Sequence, residues 1–375
     1  MANLNPLAWL LLGVFALPLA AILYGLAKVL GPHVLEPVPA ERVLPLPSNV
    51  QARGRWLRLS AAQMTALRMV GGALVLALVG IGVNRWPAAG PTRSVAPAAG
   101  VQLPPPAALR VQTRAGVDGS GPGQLHDPRD VAVDQAGNVY VADTGNKRII
   151  KFRPDGSFVQ TWTNSATGAL AEPSSVAVAK DGVIVDDSEA GQLHKFDFDG
   201  KPVAGFEHDL GLSHPRGVAV GPDGTIYVGD TADNRIVTVG PDGTLRGNFD
   251  TKGTKLEQPT GVAVDDQGSV YSVEPAASRI QKFAADGTLQ ANLFLPSAVT
   301  LYPPRALWIP NRGLVVALPD QNELLRYGPA GVPQTTYAAE SPAPLRPLGL
   351  ALTPDRQAVW VVWNTSSTLT ELLWP

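Results

Sequence analysis

The stretch Asp127–Phe152, "DPRDVAVDQAGNVYVADTGNKRIIKF", decides the fold of this 375-residue chain. Val131 and Val133 flank Ala132, and "DQAG" then makes a turn. Val139, Tyr140 and Val141 form a second β-rich run that ends at "DTGNK", and Ile149 to Phe152 form a third. Three short β-rich runs separated by Gly, Asn and Asp are an antiparallel meander. One such sheet cannot bury both of its faces alone, so it needs neighbours.

The neighbours lie further along the chain. Anchored on the proline before the first run, the pattern recurs as "EPSSVAVAKDGVIVDDSEAGQLHKF", "HPRGVAVGPDGTIYVGDTADNRIVTV" and "QPTGVAVDDQGSVYSVEPAASRIQKF". Two degenerate copies follow, "PPRALWIPNRGLVVALPDQNELLRY" and "RPLGLALTPDRQAVWVVWNTSSTLTEL". The anchoring prolines are Pro128, Pro173, Pro215, Pro259, Pro304 and Pro347, spaced 45, 42, 44, 45 and 43 residues apart. A period in the forties with about four strands per unit predicts a β-propeller.

Each of the first five copies has room for a fourth strand after its third. The sixth ends straight after its third, at Pro375. "ALRVQT", Ala108–Thr113, precedes the first copy and belongs to no repeat of its own. It is expected to pair as the outer strand of the last blade and close the ring, because an open ring leaves strand edges exposed to other chains. Six copies and one borrowed strand give six blades.

The run "PxGVAVDxxGxVYVADxxNxRIxxF" resembles the NHL repeat family of six-bladed propellers. The first, third and fourth copies match it closely, the second moderately, and the last two in spacing and hydrophobic pattern. The resemblance covers about residues 108–375 and implies the fold. Propellers of this kind include protein-binding, RNA-binding, sensory and enzymatic members, so it implies no single function.

The first hundred residues differ in character. Leu7–Ala27 is 21 residues without a charge, enough to cross a hydrocarbon core of about 30 Å at about 1.5 Å per residue. Pro18 is expected to kink this helix, with Trp9 and Tyr24 at its interfaces. A secretory signal peptide is the rival reading, but "MANLNP" lacks the Lys or Arg of such a leader. A second span is expected over Thr65–Val83, extending N-terminally to include Arg68, which either snorkels to the headgroups or pairs with a partner helix.

Lys28, Arg42, Arg53, Arg55 and Arg58 lie between the spans, whereas the segment before Leu7 carries no basic residue. The positive-inside rule then places that loop in the cytoplasm of a bacterial cell and both termini outside, with the propeller on the periplasmic or extracytoplasmic side. The expected organisation is a membrane anchor over 1–86, with helices at about 7–30 and 62–84, a Pro/Ala-rich linker over 87–107, and a propeller over 108–375 closed by strand 108–113. The fold class is thus an all-β six-bladed β-propeller of NHL type, preceded by an α-helical anchor with two transmembrane helices.

Propellers place ligand sites around the central channel, where the inner strands begin. The residues after the anchoring prolines are Arg129, Ser174, Arg216, Thr260, Arg305 and Leu348, so arginine falls on alternate blades. Arg129, Arg216 and Arg305, with Asp130 beside the first, form a candidate binding site. Three guanidinium groups around one axis would attract a carboxylate, a phosphate or an acidic protein loop. Alternatively, each arginine pairs locally with Asp130 or a loop carboxylate. A second set, Arg148, Arg235 and Arg279, follows Asp143, Asp230 and Glu274 by five residues each. Recurrence in several repeats reads as scaffolding.

Other chemistry is sparse. The five histidines do not converge in the sequence, and zinc needs three or four ligands. The acidic pairs Asp186–Asp187 and Asp265–Asp266 are placed in a turn and at a strand end. The chain carries no cysteine, nucleophile elbow, Walker-type loop or haem-attachment motif. No catalytic residue, metal or cofactor is expected. A net charge of −2 gives no reason to expect nucleic acid. Trp360 and Trp363 have opposite parity, so one is expected to face the blade interior and the other away, either packing the ring's seam or anchoring a partner.

The expected role is a protein-interaction or docking scaffold: an accessory, non-redox subunit of a larger bacterial membrane complex, with electron transport as one setting. Its expected partners are membrane lipid and other membrane-protein subunits, contacted through the spans and the propeller. The alternatives are a propeller hydrolase or lyase, and a sensor that binds a small anionic ligand in the channel.

Overall fold

The computed structural model describes residues 106–295, 305–328, 331–338 and 345–374. Both expected membrane spans lie outside these residues. Among the described residues, no helix is long and apolar enough to cross a membrane.

Six sheets follow one another along the chain, one per repeat. The first runs Pro128–Val133, Val139–Asp143, Arg148–Phe152 and Phe158–Trp162, each strand antiparallel to the next. The third and fourth blades repeat this order over Pro215–Asn248 and Gly261–Phe294. The hairpins explain the repeat's grammar. Asp134 Oδ1 accepts from the amides of Ala136 and Asn138, both at 2.9 Å, while Gly137 takes φ +83° to close the turn. Asp265 does the same for Gln267 and Ser269. Asp265 therefore heads a turn, and Asp186–Asp187 end the strand Gly182–Asp187, the reverse of the expected placement.

The middle strands are buried along their whole length, because a blade has a neighbour on each face. Strand alternation then sends successive residues to opposite neighbours. Val139, Val141 and Ile150 pack with the sixth blade, whereas Tyr140, Ala142 and Ile149 pack with the second. The core is accordingly a ring of inter-blade layers.

The sixth blade comprises Pro347–Leu352, Ala358–Trp363 and Thr368–Leu373, closed by Arg110–Ala115 running antiparallel to the last of these. Val111 lies opposite Leu372, and Ala115 opposite Leu369. The borrowed strand is real, though it begins two residues later than expected. Ala107–Ala108 pairs instead in parallel with Pro333–Ala338, the outer strand of the fifth blade. The N-terminal segment of the propeller thus stitches two blades together.

Trp360 and Trp363 depart from the expectation that one faces away. Both are buried, Trp360 against the first blade and Trp363 against the fifth. A blade in a closed ring has two inner faces, which is why parity exposes neither. Trp374 packs on Tyr337 at 4.7 Å between ring centroids and seals the same layer as Trp363.

The second blade also departs from the pattern. It has three strands, Pro173–Ala179, Gly182–Asp187 and Gln192–Phe196, where four were expected. An irregular strap, residues 197–214, lies where the outer strand would be. It meets the edge through Val203 N donating to Lys195 O (2.8 Å) and seats Phe206 and Leu210 in the layer shared with the third blade.

Candidate functional site

The inner strands line a central cavity of about 290 Å³, bordered by "VAV"-type residues along its length and by Asp130, Ser175, Gly217 and Arg305 at one end. The residue after the anchoring proline reaches this end in two ways. In the first three blades the ladder register breaks between Pro128 and Asp130, Pro173 and Ser175, and Pro215 and Gly217. Such bulges leave Arg129, Ser174 and Arg216 unpaired in the ladder and re-aim them. In the fifth blade, Arg305 O accepts from Ala317 N at 2.9 Å, so Arg305 continues directly into its strand.

Arg305 is buried. Its Nη1 donates to Thr260 O of the fourth blade and its Nη2 to Ser174 O of the second, both at 2.9 Å. One side chain therefore joins three blades. Asp130 is also buried and saturated: Oδ2 accepts from Ser175 Oγ (2.6 Å) and Val176 N (3.1 Å), and Oδ1 from Val131 N (2.9 Å). Ser175 Oγ in turn accepts from Val218 N of the third blade at 3.2 Å. Asp186 completes the cluster, with Ser174 Oγ donating to its Oδ2 at 3.2 Å, while its buried Oδ1 has no hydrogen-bond partner.

The electrostatics follow from burial. Loss of water raises the Asp130 carboxyl above the carboxylate range, against the opposing pull of Arg305 and the Ser175 hydroxyl. Burial pushes Asp186 up to about 7; Arg305 and Ser174 resist the rise, and Asp187 and Asp130 add to it. Arg305 is lowered by burial, with Asp130 and Asp186 opposing and the nearby charges of Arg129 and Arg216 adding to the drop. The cluster holds one guanidinium beside two carboxyls whose protonated forms are favoured by burial.

Of the four residues singled out from the sequence, Asp130 and Arg305 share this buried network. Arg129 lies at its rim, donating to Glu172 Oε1 (2.6 Å) and Asp127 Oδ2 (3.2 Å) rather than to Asp130. Arg216 is exposed on the third blade. Ser175 and Asp186 had no distinct sequence signal for this role, since their partners lie on other blades or in the channel.

The second arginine set forms staples. Arg148 Nε donates to Asp143 at 2.6 Å, Arg235 Nε to Asp230 at 2.7 Å, and Arg279 Nε to Glu274 at 3.0 Å. The guanidinium tails then hold the loop entering each blade, through Gln124 O, Gly211 O and Lys255 O respectively. This is the scaffolding that the repeat pattern implies. Among the described residues, no group of three or more His, Asp or Glu is arranged to hold a metal ion.

The ring of six sheets makes the described part of this chain a six-bladed β-propeller. The NHL repeat family matches residues 125–152 and 212–238, which cover most of the strands of the first and third blades. The first and third blades therefore carry NHL repeats. Human NHL repeat-containing protein 3 is 44% identical over 68 residues, 18% of this chain and 19% of that protein. The Drosophila melanogaster protein brain tumor is 32% identical over 120 residues, 31% of this chain and 12% of that protein. The chain thus matches about a fifth or less of the length of these relatives.

Solved structures share the fold. A catalytically inactive virginiamycin B lyase from Staphylococcus aureus with quinupristin superposes with a TM-score of 0.53 at 16% identity, over 71% of this chain and 100% of that one. A gluconolactonase from Xanthomonas campestris gives 0.54 at 17% identity, over 72% and 99%. A nidogen/laminin complex gives 0.52 at 20% identity, over 61% and 86%. A lyase, a gluconolactonase and a nidogen/laminin complex share this ring, so the likeness speaks for the fold alone.

Proposed function

We propose that this chain is a docking scaffold: a membrane-anchored, extracytoplasmic propeller that serves as an accessory, non-redox subunit of a larger bacterial membrane complex, with electron transport as one setting. One observation carries the reading. The charged groups at the channel end are spent on the ring itself, Arg305 on two carbonyls of other blades and Asp130 on three donors. What remains outward at the rim is Arg216, exposed on the third blade, which offers a cation to an acidic loop, whereas Arg129 is paired with Glu172 and Asp127. The predominantly apolar segments at about 7–30 and 62–84 would supply the membrane contacts, with lipid and with partner helices. The test is purification of the native chain from gently solubilised membranes, with mass spectrometry of what accompanies it at fixed stoichiometry. A defined set of membrane subunits supports the proposal, and a monodisperse chain alone refutes it.

A second reading, a hydrolase, lyase or small-anion sensor acting in the channel, is favoured by one feature. Asp186 keeps an unpartnered buried oxygen, and burial pushes its carboxyl up to about 7, the range of a proton-transferring group. Calorimetric titration of the purified chain with small carboxylates and phosphates, in wild type and Arg216→Ala, separates this reading from the first.

A further inference from the structure

The strap that replaces the outer strand of the second blade is fastened by a titratable contact, unlike the staples of its neighbours. In the first, third and fourth blades the carboxylate that ends the middle strand is held by an arginine five residues on. In the second blade that carboxylate is Asp187, and the residue five positions on is Gln192. The cation facing Asp187 is instead His194, with Nε2 at 3.6 Å from Asp187 Oδ2, an ion-pair distance too long for a hydrogen bond. On the other side of the ring, Nδ1 lies 2.8 Å from Oε1 of Glu207, a residue of the strap. All three side chains are buried, at 4%, 0% and 5% exposure.

We propose that His194 is a pH-sensitive latch: its imidazolium holds the strap at residues 197–214 over the edge strand Gln192–Phe196, and its deprotonation releases the strap. The ends of this segment are held by neighbouring blades, Phe198 O by Lys151 Nζ (2.6 Å), Gly211 O by Arg235 Nη2 (2.6 Å) and Ser213 N by Asp230 Oδ1 (2.6 Å). Between those ends, apart from the packing of Val203, Phe206 and Leu210, its hold on the second blade's edge is the Val203–Lys195 backbone bond and the Glu207 carboxylate, which also accepts from Ala166 N at 3.1 Å. His194 Nε2 and Glu207 Oε2 are both buried without a hydrogen-bond partner, so a neutral ring here would leave a polar cluster poorly satisfied. The charged groups facing the ring are Asp187 from the middle strand and Glu207 from the strap. The loop 165–168 brings hydroxyls and amides, and neighbouring Lys195 is turned to Asp181 at 2.9 Å.

The direction of the titration agrees with this geometry. Burial depresses His194, but Asp187 and Glu207 outweigh it and hold the ring above its ordinary value. Asp187 and Glu207 are held below theirs, burial being outweighed for Asp187 by the facing ring and the amides of Ala171, Glu172 and Ala190, and for Glu207 by hydrogen bonds that include the ring's. The histidine's contribution is complete below its ordinary value of about 6.5 and is lost as pH rises through the raised one. The carboxylates' contribution is present above the ordinary range of about 4 and is lost on acidification. The latch is therefore fastest shut between the ordinary carboxylate and histidine values and opens as pH rises through the raised histidine value.

Hydrogen exchange of the full chain, read by mass spectrometry at pH 6 and pH 8.5 and corrected for intrinsic rates, tests the proposal. Strap and edge peptides within 192–212 are expected to lose protection several-fold at the higher pH. Peptides of the third and fourth blades, stapled by arginine, should not change. Glu207→Gln should flatten the strap's pH dependence, and His194→Gln should hold the strap in its less protected state at both pH values. Equal protection of the wild-type strap at both pH values would overturn the proposal. So would full pH dependence in Glu207→Gln, which decides the matter even if the histidine variant does not fold.

Discussion

Replacing Arg305 with methionine tests the claim that one guanidinium pins the ring. The substitution keeps an unbranched apolar stem and removes two charged hydrogen bonds, to Ser174 O and Thr260 O. It also removes the cation that opposes the upward shifts of Asp130 and Asp186. Taking one partner from a buried charge cluster costs about 3–5 kcal/mol. At about 2–4 °C per kcal/mol for a domain of this size, the melting temperature should fall by about 6–20 °C. The deficit should also depend on pH. A carboxyl whose folded pKa is raised keeps a proton that the unfolded chain has released, so stability falls as pH climbs from the ordinary carboxylate range to the raised value. Without Arg305 both carboxyls shift further upward. The variant's loss should therefore be smaller at pH 5.5, where they can stay protonated, than at pH 8. Thermal melts of wild-type and variant chains at both pH values give the answer. A loss within the about 0.5 kcal/mol typical of surface changes, or an equal loss at both pH values, would refute the reasoning.

Ser175→Ala removes the hydroxyl that donates to Asp130 and accepts from Val218 N, and should cost about 1–3 kcal/mol in urea unfolding with an unchanged slope. Gly349→Ala would place a Cβ 2.5 Å from Asp130 Cα, backbone that cannot yield cheaply, so about 1–3 kcal/mol should be lost at the seam between the sixth and first blades. Thr113→Pro places a proline in the closing strand and removes the hydroxyl bonded to Glu371; light scattering should then show association through the freed edge Thr368–Leu373. Arg216→Glu reverses the charge of the exposed rim and should reduce co-purification of partner subunits several-fold while leaving the melting temperature within about 2 °C, as expected of a surface change.

Local pattern carried the architecture. The period in the forties, the alternation that feeds two neighbours from one strand, the Asp and Gly of each turn, and the five-residue acid-to-arginine spacing all act within one repeat. They are legible because backbone hydrogen bonding and strand parity are local. The closing strand was legible as well, from an unpaired β-rich segment facing an incomplete last copy, although its start moved to Arg110 and Ala107–Ala108 went to the fifth blade.

The fate of side chains around the axis was not legible. Arg129, Arg216 and Arg305 stand at the same offset from their prolines, yet one is salt-bridged at the rim, one is exposed, and one is buried across the channel. Bulges aim the first two, while the third enters its ladder without one. Arg305 and Ser174 are 131 residues apart, and only ring closure brings them within 2.9 Å. The three-stranded second blade is similar: its sequence has room for a fourth strand, but Phe206 and Leu210 gain more by plugging the inter-blade layer than by extending an edge. The sequence by itself determined how many blades there are and which residues each strand turns inward, because those are properties of one repeat. Which charges meet at the axis, and which histidine replaces an arginine, depended on tertiary structure, because those contacts exist only between repeats.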